Sequence, residues 1–181
     1  LRRNLNQMDK TQTIQKIIDL NGYNTYLEIG LGNKENFEAL QINFKEGVDP
    51  EFNLNSDAFF DANKQSFDLI FIDGLHHAEQ VEKDIVNAWN CLNAKGQILI
   101  HDIKPPTFDS QVVPRKQKIW CGDVWRVWNG LKSTKLKLGY LDDDFGIGVI
   151  YKSKHKLTVG FVDGEMDWKE YHKKKGWLIN I

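Results

Sequence analysis

Apolar positions along this chain switch between helical spacing and short continuous runs, and the switches mark its elements. Ile14, Ile17 and Ile18 recur at helical spacing after Thr11, and Gly22 follows as a C-cap, which predicts a helix over 11–21. Tyr26-Leu27-Glu28-Ile29 is a strand-like run that stops at Gly30-Leu31-Gly32. Beyond it Phe37, Leu40 and Phe44 mark a helix face expected to end near Gly47. Val48 leads into Asp49-Pro50 as a second strand end. A weak third strand is expected over 52–55, then a short helix opening at Ser56-Asp57. Phe67 to Ile72 is nearly continuous apolar residue, as in a strand covered on both faces, and it halts at Asp73-Gly74. Val81, Ile85, Ala88 and Leu92 form a helical stripe closed by Gly96, and Gln97 to His101 is the next buried strand. After an irregular stretch over 104–122, Val124, Val127, Trp128 and Leu131 mark a helix. Strands near 136–141 and 147–151 then read as a hairpin.

Alternating strands and helices with buried strands predict an α/β fold. The expected form is a Rossmann-like, doubly wound, mostly parallel sheet of seven strands with an antiparallel C-terminal hairpin. No repeat or linker divides the chain, so 1–181 reads as a single domain with its core over 25–151 and a tail over 152–181. Such sheets bind ligands at the carboxyl ends of their strands. That rule selects Gly30, Asp49, Asp57, Asp73, His101 and Asp102.

Composition narrows the classes. With 181 residues, 41% hydrophobic and 27% charged, the chain is long enough to bury a core without disulfide or metal staples. Cys91 and Cys121 alone build neither a disulfide framework nor a paired-thiol zinc site. A net charge of -1 gives no global field for nucleic acid or anionic lipid, and Lys173 to Lys175 read as a solvated helix face. No apolar run approaches the ~20 residues of a membrane span and no signal peptide is visible, so a cytoplasmic protein is expected. The chain opens on Leu1 rather than methionine, which suggests that a segment precedes it.

The glycine turn carries the first chemistry. A dinucleotide fingerprint needs a third glycine where this chain has Glu35, a carboxylate that would face a diphosphate; this disfavours NAD, FAD and a nucleotide-dependent oxidoreductase or epimerase. What remains is Glu28-Ile29-Gly30-Leu31-Gly32 followed by Asp49 at the end of the next strand, a pattern that resembles the class I S-adenosylmethionine-dependent methyltransferases. Glycines let the backbone approach the methionine part of such a cofactor, an acid accepts the ribose hydroxyls, and no phosphate needs neutralising. Phe67 to His77, Gly96 to Asp102 and Trp120 to Trp125 are similar to one branch, methyltransferase family 24, a bacterial group of small-molecule and sugar O-methyltransferases. The resemblance implies Glu28, Gly30 and Gly32 as the cofactor loop, Asp49 as the ribose acid, Asp57 as partner of the adenine amino group, and Asp73 beneath the transferred methyl.

The departures are as informative. Lys34 replaces a common glycine, so the loop must be wider or its helix must begin differently. Metal-dependent relatives hold a divalent cation with carboxylates after these strands. Asp73 and Asp102 match that pattern, whereas Leu75 and His101 stand where further acids often occur. A cation, Mg or Mn, is therefore a candidate cofactor. His76, in preference to His77, can serve as base for an acceptor hydroxyl, giving His76, Asp73 and Asp102 as the catalytic set. His101 reads equally as a core histidine. The 104–122 stretch, with Pro105-Pro106, Arg115, Lys116, Lys118 and Trp120, reads as a substrate wall suited to an anionic or glycosyl acceptor, or as a solvated loop anchored by Trp120. The expected function is methyl transfer from S-adenosylmethionine to an oxygen of a small molecule, including sugars. Its rival is a non-catalytic protein that binds the same cofactor.

Overall fold

A computed structural model describes residues 9–143, 145–157, 159–160 and 167–178. Strands β1 (Thr25–Ile29), β2 (Phe44–Val48), β3 (Phe67–Ile72), β4 (Leu92–Ile100), β5 (Leu138–Leu141) and β6 (Ile147–Tyr151) form one sheet in the order β2-β1-β3-β4-β6-β5. The first four in that order run parallel, and β6 returns antiparallel between β4 and β5. Helices α1 (Lys10–Asn21), α2 (Glu35–Ala39), α3 (Ser56–Ala62), α4 (Ala78–Asn90), α5 (Val124–Leu131) and α6 (Trp168–Lys173) complete the described residues. None of them is long and apolar enough to cross a membrane.

The class, the parallel core and the antiparallel hairpin agree with the sequence reading, but the sheet has six strands, not seven. The residues expected as a third strand, 52–55, follow a turn instead. The amides of Phe52 and Asn53 both donate to the Asp49 carbonyl (3.0 and 2.9 Å), and the Asn53 side chain donates to the Gly47 carbonyl (2.8 Å). Phe52, the residue that suggested a strand, is half-exposed beneath the Lys34 ammonium. The helix expected to run to Gly47 is also shorter. It ends at Ala39, and Phe44 and Gly47 lie in β2, where Phe44 stacks on Phe67. Phe37, Leu40 and Phe44 satisfy helical spacing only by coincidence of a short helix, a turn and an edge strand. Leu92 and Gly96, expected to end α4, belong to β4.

The central strands β1, β3, β4 and β6 are covered on both faces. Leu27, Ile29, Ile70, Ile72, Ile98 and Ile100 face α4 and α5, meeting Val81, Ile85, Val127 and the fully buried Trp128. Tyr26, Leu69, Phe71 and Leu99 face Ile14 and Ile18 of α1. A capping box, in which Asp9 and Gln12 each bond the other's amide, fixes the start of α1, and Gly22 in the left-handed region ends it. Strand order reverses at β1, with β2 on one side and β3 on the other. In sheets of this kind ligands bind at the carboxyl ends of the strands beside such a reversal, here beyond Ile29 and Ile72.

Candidate active site

The glycine turn fits its neighbours with no slack at one position and open space at another. Gly30 has φ 87°, and a Cβ there would lie 2.2 Å from the Asp73 carbonyl oxygen, so only glycine lets the two strand-end turns touch. Gly32, also left-handed, would carry a Cβ into open space. Asp49, at the end of β2, accepts the Leu31 amide (2.8 Å) and the Gly32 amide (3.4 Å) on Oδ2 and the Glu51 amide on Oδ1 (2.9 Å). Its carboxylate is thereby fixed against the turn. Lys34 adopts a left-handed conformation (φ 66°) as the N-cap of α2 and makes no side-chain cap.

Strand alternation sends Glu28, Asp73 and His101 to the face that α1 covers, since they continue the series of Tyr26, Phe71 and Leu99. Glu28 is buried, and its Oε2 accepts the Tyr26 hydroxyl (2.7 Å) and the Asn36 amide (2.9 Å). Burial raises its pKa to about 7, outweighing those two hydrogen bonds. Asn36 in turn accepts the Thr11 hydroxyl (2.9 Å), which ties α1 to α2.

Beyond the strand ends, two carboxylates and two imidazoles form a closed square. His76 Nε2 lies 3.4 Å from Asp73 Oδ1 and 3.1 Å from Asp102 Oδ2, and His101 Nδ1 lies 3.2 and 3.3 Å from the same two oxygens. The second oxygen of Asp73 accepts the Lys10 ammonium (2.6 Å). Burial alone would lower both imidazoles. For His76 the bond to Asp73 and the charges of Asp102 and Asp73 outweigh it, and for His101 the two carboxylates do so more strongly, so both stand above their usual value. Asp73 is held well below the carboxylate range, chiefly by His101, against a burial penalty of opposite sign. Asp102 sits in the left-handed region (φ 64°), an uncommon conformation that aspartate tolerates better than most residues and that turns its carboxylate back onto the square. His101 Nε2 is buried without a hydrogen-bond partner, and the ring lies edge-on to Phe71 and Phe145.

The irregular stretch is the wall behind His76. The ring stacks on Trp120 (centroids 5.4 Å apart), and Nδ1 lies 3.0 Å from the Trp120 carbonyl. A carbonyl only accepts, so Nδ1 carries a proton and the inward Nε2 is the titrating nitrogen. Gly122 has φ 59°, and a Cβ there would lie 1.7 Å from the His76 carbonyl oxygen. Asp123 then caps α4 from outside, accepting the Ala78 amide (2.6 Å) while its own amide donates to His76 (3.2 Å). His77 is the N-cap residue but makes no side-chain cap, and Leu75 is exposed. Arg115 donates to the Gln117 and Lys118 carbonyls, spending its guanidinium on the loop itself. The tail braces the wall's start: Tyr171 donates to the Ile103 carbonyl (2.8 Å) and Trp168 to that of Pro105 (3.4 Å), while Lys173 to Lys175 are exposed as expected.

Of the residues selected from sequence, Asp73, His76 and Asp102 converge. One nitrogen and two carboxylate oxygens from them lie within 4.8 Å of one another. Glu28, Gly30, Gly32 and Asp49 surround the turn, and Asp57 stands apart on α3, where Oδ1 accepts Gln80 (3.0 Å). Lys10, the second contact of His101 and the Trp120 carbonyl were not foreseen. Lys10 is distant in sequence from the acid it meets, and the only local signal was its place at the start of a capped helix.

A Rossmann-like sheet with a Glu-x-Gly-x-Gly turn and an acid closing the next strand defines the class I S-adenosylmethionine-dependent methyltransferases. A family model described as a methyltransferase domain, methyltransferase family 24, matches residues 7–103, and the chain belongs to that family. Solved structures share the fold. The O-methyltransferase TomG from Streptomyces achromogenes, in complex with S-adenosylmethionine and described as involved in tomaymycin synthesis, is 10% identical with a TM-score of 0.56, covering 80% of this chain and 79% of its own. A methyltransferase from Podospora anserina bound to S-adenosylhomocysteine is 14% identical with a TM-score of 0.54, covering 80% and 78%. An O-methyltransferase from Bacillus cereus in complex with S-adenosylhomocysteine is 13% identical with a TM-score of 0.50, covering 82% and 84%. No curated protein matches the chain in sequence.

Proposed function

We propose that this domain, read as one unit over 1–181, transfers the methyl group of S-adenosylmethionine to an oxygen of a small-molecule acceptor, with sugars and glycan precursors as the first class to test. The observation that carries this reading is the inward Nε2 of His76, its tautomer set by the Trp120 carbonyl, facing the Asp73 and Asp102 carboxylates at the strand ends beside the glycine turn. In this reading the methionine part of the cofactor lies over Gly30 and Gly32, where the backbone is bare, with Glu28 beneath. Asp49 keeps lone pairs for the ribose hydroxyls after serving the turn, and Asp57 takes the adenine amino group. Asp73 lies below the methyl. Transfer itself is in-line displacement at an activated sulfonium, so holding the acceptor oxygen at ~3 Å does much of the work. His76 removes the hydroxyl proton at Nε2, and Asp73 and Asp102 stabilise the imidazolium that results.

A specific observation also supports a cation. A neutral His76 would aim a lone pair at two carboxylates that only accept, so a proton or a metal belongs between them. Asp73, Asp102 and His76 fit a divalent ion such as Mg or Mn, with the Trp120 carbonyl as the outer support of the imidazole. Such an ion, when bound, would supply Lewis-acid polarisation of the acceptor oxygen. Calorimetric titration should show S-adenosylhomocysteine binding and NAD not binding; the reverse pattern sinks the methyltransferase reading. A screen of sugars and phenols, read by S-adenosylhomocysteine release with and without chelator, separates base from metal. Binding without turnover on any acceptor would favour the non-catalytic alternative.

A further inference from the structure

Lys10 enters the site from the first turn of α1, with its side chain about one-third exposed and its ammonium 5.8 Å from the centre of the Phe71 ring. Its position is built. The capping box fixes the helix start, Thr11 bonds Asn36, and Thr13 donates to the buried Asp143 (2.6 Å). An ammonium has three donors, and Asp73 takes one of them. The surroundings of that ammonium are acidic: Glu28, Asp73 and Asp102 are all near enough to act on it. Asp73 is also the residue whose backbone touches Gly30, so Lys10 stands at the rim of the glycine turn. His76 and His101, the imidazoles of the cluster, are bound into the square with Asp73 and Asp102. A ligand that brings one positive and one negative group to this rim finds acids for the first and Lys10 for the second.

We propose that Lys10 binds the α-carboxylate of the cofactor's amino-acid end, while Glu28 faces its α-ammonium. The inference rests on the methyltransferase reading and adds a binding residue to it. Lys10 keeps its bond to Asp73 and gives its remaining donors to the carboxylate, so the zwitterion is paired at both charges. The recognised feature is the carboxylate itself, which distinguishes this cofactor from adenosyl thioethers that lack it.

The test is a calorimetric titration of the whole chain with two ligands, S-adenosylhomocysteine and its decarboxylated analogue, the aminopropyl thioether of adenosine. Wild type should bind the first about tenfold or more tightly than the second. Lys10→Met keeps the stem and should lose about that factor for S-adenosylhomocysteine while binding the decarboxylated analogue as wild type does. Lys10→Arg should restore most of the discrimination. Equal losses for both ligands would overturn the proposal, because Lys10 would then act only by holding Asp73; so would no loss for either. Failure of wild type to bind S-adenosylhomocysteine at all is a different outcome, and it removes the methyltransferase reading and this inference together.

Discussion

The two faces of the sheet are built from the same strands and end differently. Toward α4 and α5 the strands stay apolar to their tips, with Ile29, Ile72 and Ile100 all buried. Toward α1 the neighbouring positions are Glu28, Asp73 and His101, and the apolar series stops one residue short of the end. A single step along each strand therefore separates a dry core from an ionised site. One face supplies the rigidity and the other spends it, since closely opposed charges hold their geometry only against a firm floor.

This contrast can be broken from either side. The largest effect belongs to the apolar face: Ile100→Ala should cost roughly 2–5 kcal/mol in denaturant unfolding while the folded protein still binds S-adenosylhomocysteine. Loss of binding in the folded variant would show that the faces are not separable. On the polar side, His76→Ala should lower turnover by ~10² or more with cofactor affinity unchanged. If His76 is the base, the wild-type rate should rise with pH through a range lying above 6.5, because the carboxylates raise its pKa. A flat profile would assign the proton elsewhere.

Glu28→Gln sharpens the comparison through stability. The Glu28 pKa is about 7 in the fold against an ordinary 4.5, so its contribution is full below 4.5 and is lost as pH rises through 7. The variant should therefore melt above wild type at pH 8.5 and lose that advantage by pH 4.5. Parallel melting curves at both pH values would mean that Glu28 is ionised and paired. The smallest effect expected is that of Asp49→Ala, about tenfold in affinity for S-adenosylhomocysteine with folding intact.

Much of this was legible in the sequence, for physical reasons that differ by residue. Apolar runs such as Phe67 to Ile72 read as buried strands, and Asp49, Asp73 and Asp102, which follow their ends, could be selected by position, whereas Glu28, inside its strand, is selected through the family resemblance. Which face each acid takes was open, because it depends on the sheet's alternation relative to α1. The Lys10 contact with Asp73 spans 63 residues and the Trp120 contact with His76 spans 44, and neither leaves a local pattern. The false strand at 52–55 has a similar origin: Asn53 and Asp49 closed a turn with bonds that outcompete the weak preference of Phe52 for a strand.

The contact at Gly122 leaves no room for a side chain between the wall and the His76 backbone. Its α-carbon rests against the His76 carbonyl, while Trp120 and Asp123 hold the same residue on either side. If His76 acts as the base, substitutions at 120–123 should change the rate, because these residues set its position and tautomer. Within 107–119 the exposed Phe108, Val113 and Ile119 are the more forgiving ground, whereas the Ser110 carbonyl accepts the Cys121 and Gly122 amides and the Val112 carbonyl the Trp120 indole. A library confined to those three side chains would test whether acceptor preference can be varied with the His76 contacts left in place.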